Sequence, residues 1–321
     1  MSATRSSDET SGAGWPPYER GFAMLMNRLT SEEIFKWCSI PWQSLEGCEG
    51  KKIKLAVRKD RAEMMAEIGN LMADEVRDHN AKGLPTKWVL PAGPCDEYDT
   101  FVRRVNEERI DCKNLWVFHM DEFLDWQCRP YPVADTYESL EGTMLACFYN
   151  RIDEELRPPE DHRIWPRINN LDYPDEMCDK LGGIDTVWAG IGATGLVAFD
   201  EEPRDYWYRP TVEEYADSKT RIVDINSDTM VAMAERSFGT CLDRIPPKGL
   251  TIGFHVICSA KRAVYMVATG DWKKTVCRIM LFSEPTTEYP VTILPKYVPD
   301  VTLYTDEYTI DHPMSHDTRG W

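Results

Sequence analysis

Short, unbroken apolar runs recur along the chain, separated by longer stretches in which apolar positions return every third or fourth residue. The runs IKLAV (53–57), KWVLP (87–91), LWVF (115–118), DTVWAGI (185–191), LTIGFHVI (250–257) and AVYMVAT (263–269) predict strands buried on both faces of a parallel sheet. Between them, DRAEMMAEIGNLMADEVRDH places Met64, Ile68, Leu71, Met72 and Val76 on one helical stripe, with acids and arginines facing away. DEYDTFVRRVNEE does the same with Tyr98, Phe101, Val102 and Val105. DTMVAMAERSF and DWKKTVCRIMLF read as two more helices, each with an aspartate, Asp228 or Asp271, placed to cap its N-terminus. Strands alternating with helices predict an α/β fold: an open, mostly parallel sheet flanked by helices on both faces.

The flanks are different in character. Residues 1–14 are small and polar and read as a disordered tail, without the apolar segment of a secretory signal. Residues 15–50 form an N-terminal helical extension, in which Thr30 and Glu33 have capping-box spacing. The α/β domain then occupies 51–305, and 306–321 is a polar C-terminal tail. Within the domain, residues 204–218 (RDYWYRPTVEEYADS) follow a glycine loop and read either as a lid or as a surface insertion. If it is a lid, Tyr206, Trp207 and Tyr208 can stack on a sugar face.

Charge narrows the possible partners. Lys and Arg total 37 against 54 Asp and Glu, a net charge of −17, which argues against nucleic acid and anionic membrane as partners. No apolar stretch approaches the roughly 18 residues that span a bilayer. The ten cysteines are scattered without metal-ligand spacing, which suits reduced thiols in a cytoplasmic protein. His312 and His316 lie four apart without Cys or Glu at ligand spacing, so no metal is expected.

In open α/β sheets ligands sit beyond the carboxyl ends of the strands. Three segments fall there: LPAGPCDEY (90–98), FHMDEF (118–123) and AGIGATGLVAFDEEP (189–203). In the second, Asp121 and Glu122 follow a buried strand directly. A carboxylate there, partly desolvated, can have a raised pKa and move a proton between adjacent carbons; the alternative is helix capping or a solvated turn.

VFHMDEF, followed by DTYESLEGTM (135–144) and by GLTIGFHVICSAKRAVYMVATGDWKK (249–274), resembles the glucosamine-6-phosphate deaminase/isomerase family. That family's hallmark is a Met-Asp-Glu-aromatic motif with a Ser/Thr-Tyr downstream, and the resemblance runs, with gaps, from about residue 50 to 305. It implies the NagB/ribose-phosphate-isomerase/CoA-transferase-like architecture, a small-molecule sugar or sugar phosphate as partner, no cofactor, and a homo-oligomer. It also implies that Asp121 carries the proton between the first and second sugar carbons, with Glu122 in support. Where the family has Asn-Asp-Gly-His in its glycine loop, this chain has Ala193-Thr194-Gly195-Leu196. The family's ring-opening histidine is therefore a leucine, its aspartate is Thr194, and only an acidic partner remains, as Glu201 or, one residue on, Glu202.

The implied phosphate site is mixed. Gly93, Gly192 and Gly195 let backbone approach a substrate, and Lys273 matches the family's phosphate-contacting lysine. The matching arginine falls at Glu235 or, with a one-residue slip, Arg236. Asp96 and Glu97 stand near where the anion would lie. His119 reads as structural or as a neighbour supporting the site. His255, in an expected buried strand, reads as a core residue or as the first choice for a relocated acid–base group. Three readings follow: an aldose–ketose isomerase or deaminase, a non-catalytic sugar sensor, and a sugar-lactone hydrolase, against which Leu196 weighs most.

Overall fold

A computed structural model describes residues 29–204 and 208–316. Seven parallel strands form the main sheet: β1 (Lys54–Arg58), β2 (Thr86–Leu90), β3 (Leu115–His119), β5 (Arg163–Ile164), β6 (Thr186–Ala189), β9 (Arg262–Val267) and β10 (Asp300–Asp306), in the order β1-β10-β9-β6-β2-β3-β5. A smaller antiparallel sheet joins β4 (Asp121–Leu124), β8 (Lys248–Thr251) and β7 (Arg221–Asp224), in the order β4-β8-β7.

The main sheet divides the core in two because successive side chains point to opposite faces. In β9, Ala263, Tyr265 and Val267 enter one apolar cluster, packed by the helices Tyr173–Leu181, Phe254–Cys258 and Lys274–Phe282. Val264 and Met266 enter the other, covered by the helices Arg61–Ala81 and Glu97–Glu108. The expected stripes supply that second cluster: Met64, Ile68, Met72 and Val76 from one helix, and Tyr98, Phe101, Val102 and Val105 from the other.

Several local readings are corrected. The apolar run 250–257 is not one strand: β8 ends at Thr251 and a helix begins at Phe254. Between them the backbone of Gly253 passes so close to another chain segment that an added Cβ would lie 1.9 Å from the Ser218 carbonyl oxygen. Neither expected aspartate caps its helix. The helix Ser227–Ser237 has Asn226 at its cap, and Asp271 opens a short 3-10 turn before Lys274–Phe282. Strands β4, β5, β7 and β10 were not anticipated. β10 alternates buried Val301, Leu303 and Thr305 with half-buried neighbours, a period that its polar residues masked. The Thr30–Glu33 capping box forms on the helix Ser31–Cys38.

The N-terminal tail (1–14), Tyr206 and Trp207 lie outside the described residues. Residues Val212–Ala216 of the 204–218 segment form a capped helical turn, and Tyr208 is exposed. After β10, Thr309, Ile310 and His312 are buried, and the Ile310 carbonyl accepts a 2.7 Å bond from the buried Arg278 guanidinium.

Where the two large helices meet, Arg61 holds both carboxylate oxygens of Asp96 at 2.6 and 2.7 Å. Glu97 beside it is fully buried, and neither of its carboxyl oxygens has a partner among the described residues. Burial pushes its pKa well above the usual carboxylate range, so it is held as the neutral acid. An acid whose folded pKa is raised contributes stability that is present below its unfolded value, about 4.3, and lost as pH rises toward the folded one. Glu97→Gln removes that titration. Its stability relative to the parent is expected to climb as pH rises from about 4.3 toward the folded pKa, by at most about 1.4 kcal/mol per pH unit. Denaturant unfolding across that range measures it; a difference independent of pH would contradict the assignment.

Candidate active site

The chain leaves the main sheet at His119 and enters the small sheet at Asp121, with Met120 as the hinge. The Met120 N–H donates to the Leu90 carbonyl at 3.2 Å, and its own carbonyl accepts from the Ile252 N–H at 2.9 Å. This brings the end of β2, the end of β3 and the start of β4 to one rim. There a cleft of about 250 Å³ opens at the carboxyl ends of the strands. Asp121, Gly93, Gly192, Thr194, Leu196 and Lys273 line it.

Adjacent strand residues face opposite ways, so Asp121 and Glu122 have separate tasks. Glu122 turns inward and accepts the backbone N–H groups of Leu140 and Glu141 at 2.7 and 2.9 Å, and of Phe123 at 2.9 Å. It thereby anchors the N-terminus of the helix Leu140–Cys147, where a carboxylate is favoured. Burial nonetheless raises its pKa. Asp121 is half-buried, faces the cleft, and makes no side-chain hydrogen bond or ion pair among the described residues. Burial pushes its pKa up to about 8, with repulsion from Glu122 and Asp200 adding to it. Asp200, fully buried, lies 2.7 Å from the Arg221 guanidinium, and burial raises it to about 7.

The cations gather at another part of the rim. Lys273 is buried, and desolvation lowers its pKa to about 8. Its ammonium lies 4.5 Å from the Trp272 ring centroid, and the Arg236 guanidinium lies 3.6 Å from the same centroid. The Thr269 carbonyl accepts from both the Trp272 indole N–H (3.1 Å) and Arg236 (3.0 Å), which fixes the group. Among the described residues neither Lys273 nor Arg236 makes an ion pair with a carboxylate. Lys273 lines the cleft, whereas Arg236 is not among its lining residues and stands behind the Trp272 ring.

Asp96 is neutralised by Arg61, Glu97 is buried and uncharged, and neither lines the cleft.

The other sequence candidates are placed as follows. Glu201 accepts the Asn226 N–H at 2.6 Å and the Thr229 hydroxyl, securing the start of the helix Ser227–Ser237. It faces an adjoining cavity of about 510 Å³, as does Glu202, rather than the cleft. Gly195 has φ +78° and packs against Tyr289, so it shapes the loop without lining the cleft. His255 is not in a strand: it lies on the helix Phe254–Cys258, toward Asp179 (2.8 Å) and Asp217 (3.3 Å), away from the cleft. His119 stacks flat on Trp165, with centroids 3.4 Å apart, and bonds the Tyr149 hydroxyl at 2.8 Å. Burial lowers its pKa well below the ordinary value, so it is a neutral packing group.

Sequence reasoning missed Trp272, Asp228 and Thr229, which also line the cleft. Trp272 directly precedes the recognised Lys273, and that adjacency at a strand-end turn was the available signal. Asp228 is committed to Arg204, whose guanidinium nitrogens lie 2.8 and 3.0 Å from its two oxygens. Among the described residues, no three His, Cys, Asp or Glu side chains are grouped to hold a metal.

No family model matches the chain. It is 25% identical over 260 residues to a glucosamine-6-phosphate deaminase of Mycoplasma mycoides, covering 79% of this chain and 95% of that one. Against a glucosamine-6-phosphate deaminase of Clostridium perfringens it is 26% identical over 263 residues, covering 79% and 97%. Among solved structures it superposes on a monomeric glucosamine-6-phosphate deaminase of the NagB superfamily with TM-score 0.66 at 22% identity, over 80% of this chain and 98% of that one. It superposes on the 6-phosphogluconolactonase of Trypanosoma cruzi with TM-score 0.57 at 16% identity, over 80% and 95%. The resemblance seen in the Met-Asp-Glu motif is matched over most of the chain: it is similar to glucosamine-6-phosphate deaminases, and it has the fold they share with the 6-phosphogluconolactonases.

Proposed function

We propose that the protein is an aldose–ketose isomerase or deaminase acting on a phosphorylated hydroxy- or amino-aldehyde, with Asp121 as its proton carrier. The observation that carries this reading is the unpaired, cleft-facing Asp121 carboxyl, raised to about 8, in a cleft that also holds the uncompensated Lys273. Relatives named as deaminases support it.

The chemistry follows from the groups present. The substrate phosphate takes Lys273, with Arg236 nearby on the Trp272 ring and backbone N–H groups near Gly93 as further donors. The Asp121 carboxylate removes the proton from C2, and the electron pair moves into a C1–C2 double bond, giving an enediol or enolamine. The same carboxyl returns the proton to C1, while the proton on the C2 oxygen or nitrogen leaves and one is gained by the C1 oxygen through water. On a 2-hydroxy aldose the product is the ketose. On a 2-amino aldose the product is a C2 imine, which water hydrolyses to the ketose and ammonia. A raised pKa makes Asp121 a stronger base than an ordinary carboxylate, and positioned acid–base catalysis is worth about 10²–10⁴ in rate. Glu122 takes no part in the proton transfer, because its oxygens are held by the helix it anchors.

A glycine loop and an anion site also suit a lactonase, but hydrolysis needs a base to activate water, and the loop offers Thr194 and Leu196 in its place.

Asp121→Asn keeps the shape of the carboxyl and removes its basicity. Turnover of any substrate is expected to fall by roughly 10²–10⁴ with KM little changed. Retained turnover in this variant would sink the reading, and so would phosphate-dependent stabilisation without turnover in the parent, which would make the protein a sensor. The pH dependence has a sign as well. The rate requires ionised Asp121 and protonated Lys273, both titrating at about 8, so kcat/KM is expected to rise below pH 8 and fall above it. Lys273→Met should raise KM and remove the falling limb. A rate already flat between pH 5 and 7 would mean that Asp121 titrates as an ordinary carboxylate.

A further inference from the structure

We infer that the site takes its substrate in the open-chain form: a phosphate-ended hydroxy- or amino-aldehyde too short to close a stable ring. This rests on the isomerase or deaminase reading above and adds the substrate class to it.

Opening a sugar ring requires a second proton transfer besides the one between carbons. A proton must reach the ring oxygen while another leaves the anomeric hydroxyl. The described cleft has no group left for this. Its titratable lining groups are Asp121, Asp228 and Lys273. Asp121 carries the carbon-bound proton. Both oxygens of Asp228 are taken by Arg204. Lys273 is the cation of the anion site.

Nor does any imidazole reach in. All six histidines of the chain are engaged elsewhere. His79 bonds Thr86 at 3.1 Å, and His162 stacks on Trp116 with centroids 3.7 Å apart. His119 lies between Tyr149 and Trp165, and His255 faces Asp179 and Asp217. His312 bonds Thr275 at 3.1 Å, and His316 lies 2.9 Å from Asp311.

Leu196 occupies the space over the loop. A Cβ added at Gly192 would lie 2.5 Å from a Leu196 methyl carbon, so this side chain closes on the loop backbone and leaves an apolar surface. Ile191, Phe199, Ala232 and Met233 extend that surface along the cleft. A cyclic hexose would lay hydroxyls against it without partners, at a cost of roughly 1–3 kcal/mol for each one buried. A short open chain brings fewer. Its carbonyl end meets Asp121 and its phosphate meets Lys273. The chemistry of the inference is unchanged from above: the C2–H bond breaks, a C1–H bond forms, and no co-reactant is consumed in the isomerisation.

The class of reaction that supplies such a substrate is one that releases it already open, such as carbon–carbon cleavage of a longer sugar phosphate.

The test uses the full chain and two probes in deuterated water, followed by proton NMR. D-erythrose 4-phosphate cannot form a five- or six-membered ring, because its terminal oxygen carries the phosphate. Fructose 6-phosphate is held mostly as a ring. The tetrose rate is expected to double each time enzyme is doubled. The hexose rate should level off at the uncatalysed rate of ring opening, or be absent. Hexose turnover that keeps rising with enzyme past that ceiling would overturn the inference and leave the isomerase reading standing, as would hexose turnover without tetrose turnover. Turnover or deuterium exchange on neither probe, nor on glucosamine 6-phosphate or 2-amino-2-deoxy-D-erythrose 4-phosphate run beside them, would overturn both. Asp121→Asn, run beside the parent, should abolish tetrose exchange; exchange that survives it would remove Asp121 from the step and overturn the inference with the reading beneath it.

Discussion

The site depends on the two neighbouring carboxylates of β4 pointing to opposite sides of one short strand. Glu122 is spent on the N-terminus of the helix Leu140–Cys147, whose two backbone N–H donors hold the strand in place. Asp121 is thereby presented to the cleft, with no side-chain partner among the described residues. Pairing of Asp121 with Thr251 across the small sheet, and the Met120 bonds to Leu90 and Ile252, fix the backbone on either side. A carboxyl so held cannot turn away to find a partner. Its raised pKa is the consequence, and that is the property a proton carrier needs.

The rest of the cleft complements this carboxyl. Asp121, at the start of β4, and Lys273, in the turn that follows β9, line the same cleft. A substrate with a carbonyl at one end and a phosphate at the other can therefore meet both. The aromatic face of Trp272 and the Thr269 carbonyl hold Arg236 without neutralising it. Among the described residues neither Arg236 nor Lys273 makes an ion pair with a carboxylate.

The fold was legible because its strands are buried on both faces and read as unbroken apolar runs. That signal failed where it was ambiguous. The 250–257 run has the hydrophobicity of a strand but turns at Gly253 into a helix, which moved His255 from the expected core to a surface flanked by Asp179 and Asp217. The edge strands β4 and β7 are short and polar, so nothing in their periodicity announced the second sheet. Asp121, Lys273 and the glycine loop were legible from motif and spacing. The neutralisation of Asp96, the burial of Glu97 and the use of Glu201 as a helix anchor were not, because each depends on a partner 25 or more positions away or on packing alone.

The most direct measurement is a carbon-13 NMR titration of the carboxyl groups, comparing the parent with Asp121→Asn. One resonance should vanish in the variant, and in the parent that resonance should titrate near pH 8. A vanishing resonance that instead titrates near 4, as an unperturbed aspartate does, would contradict the account at its centre.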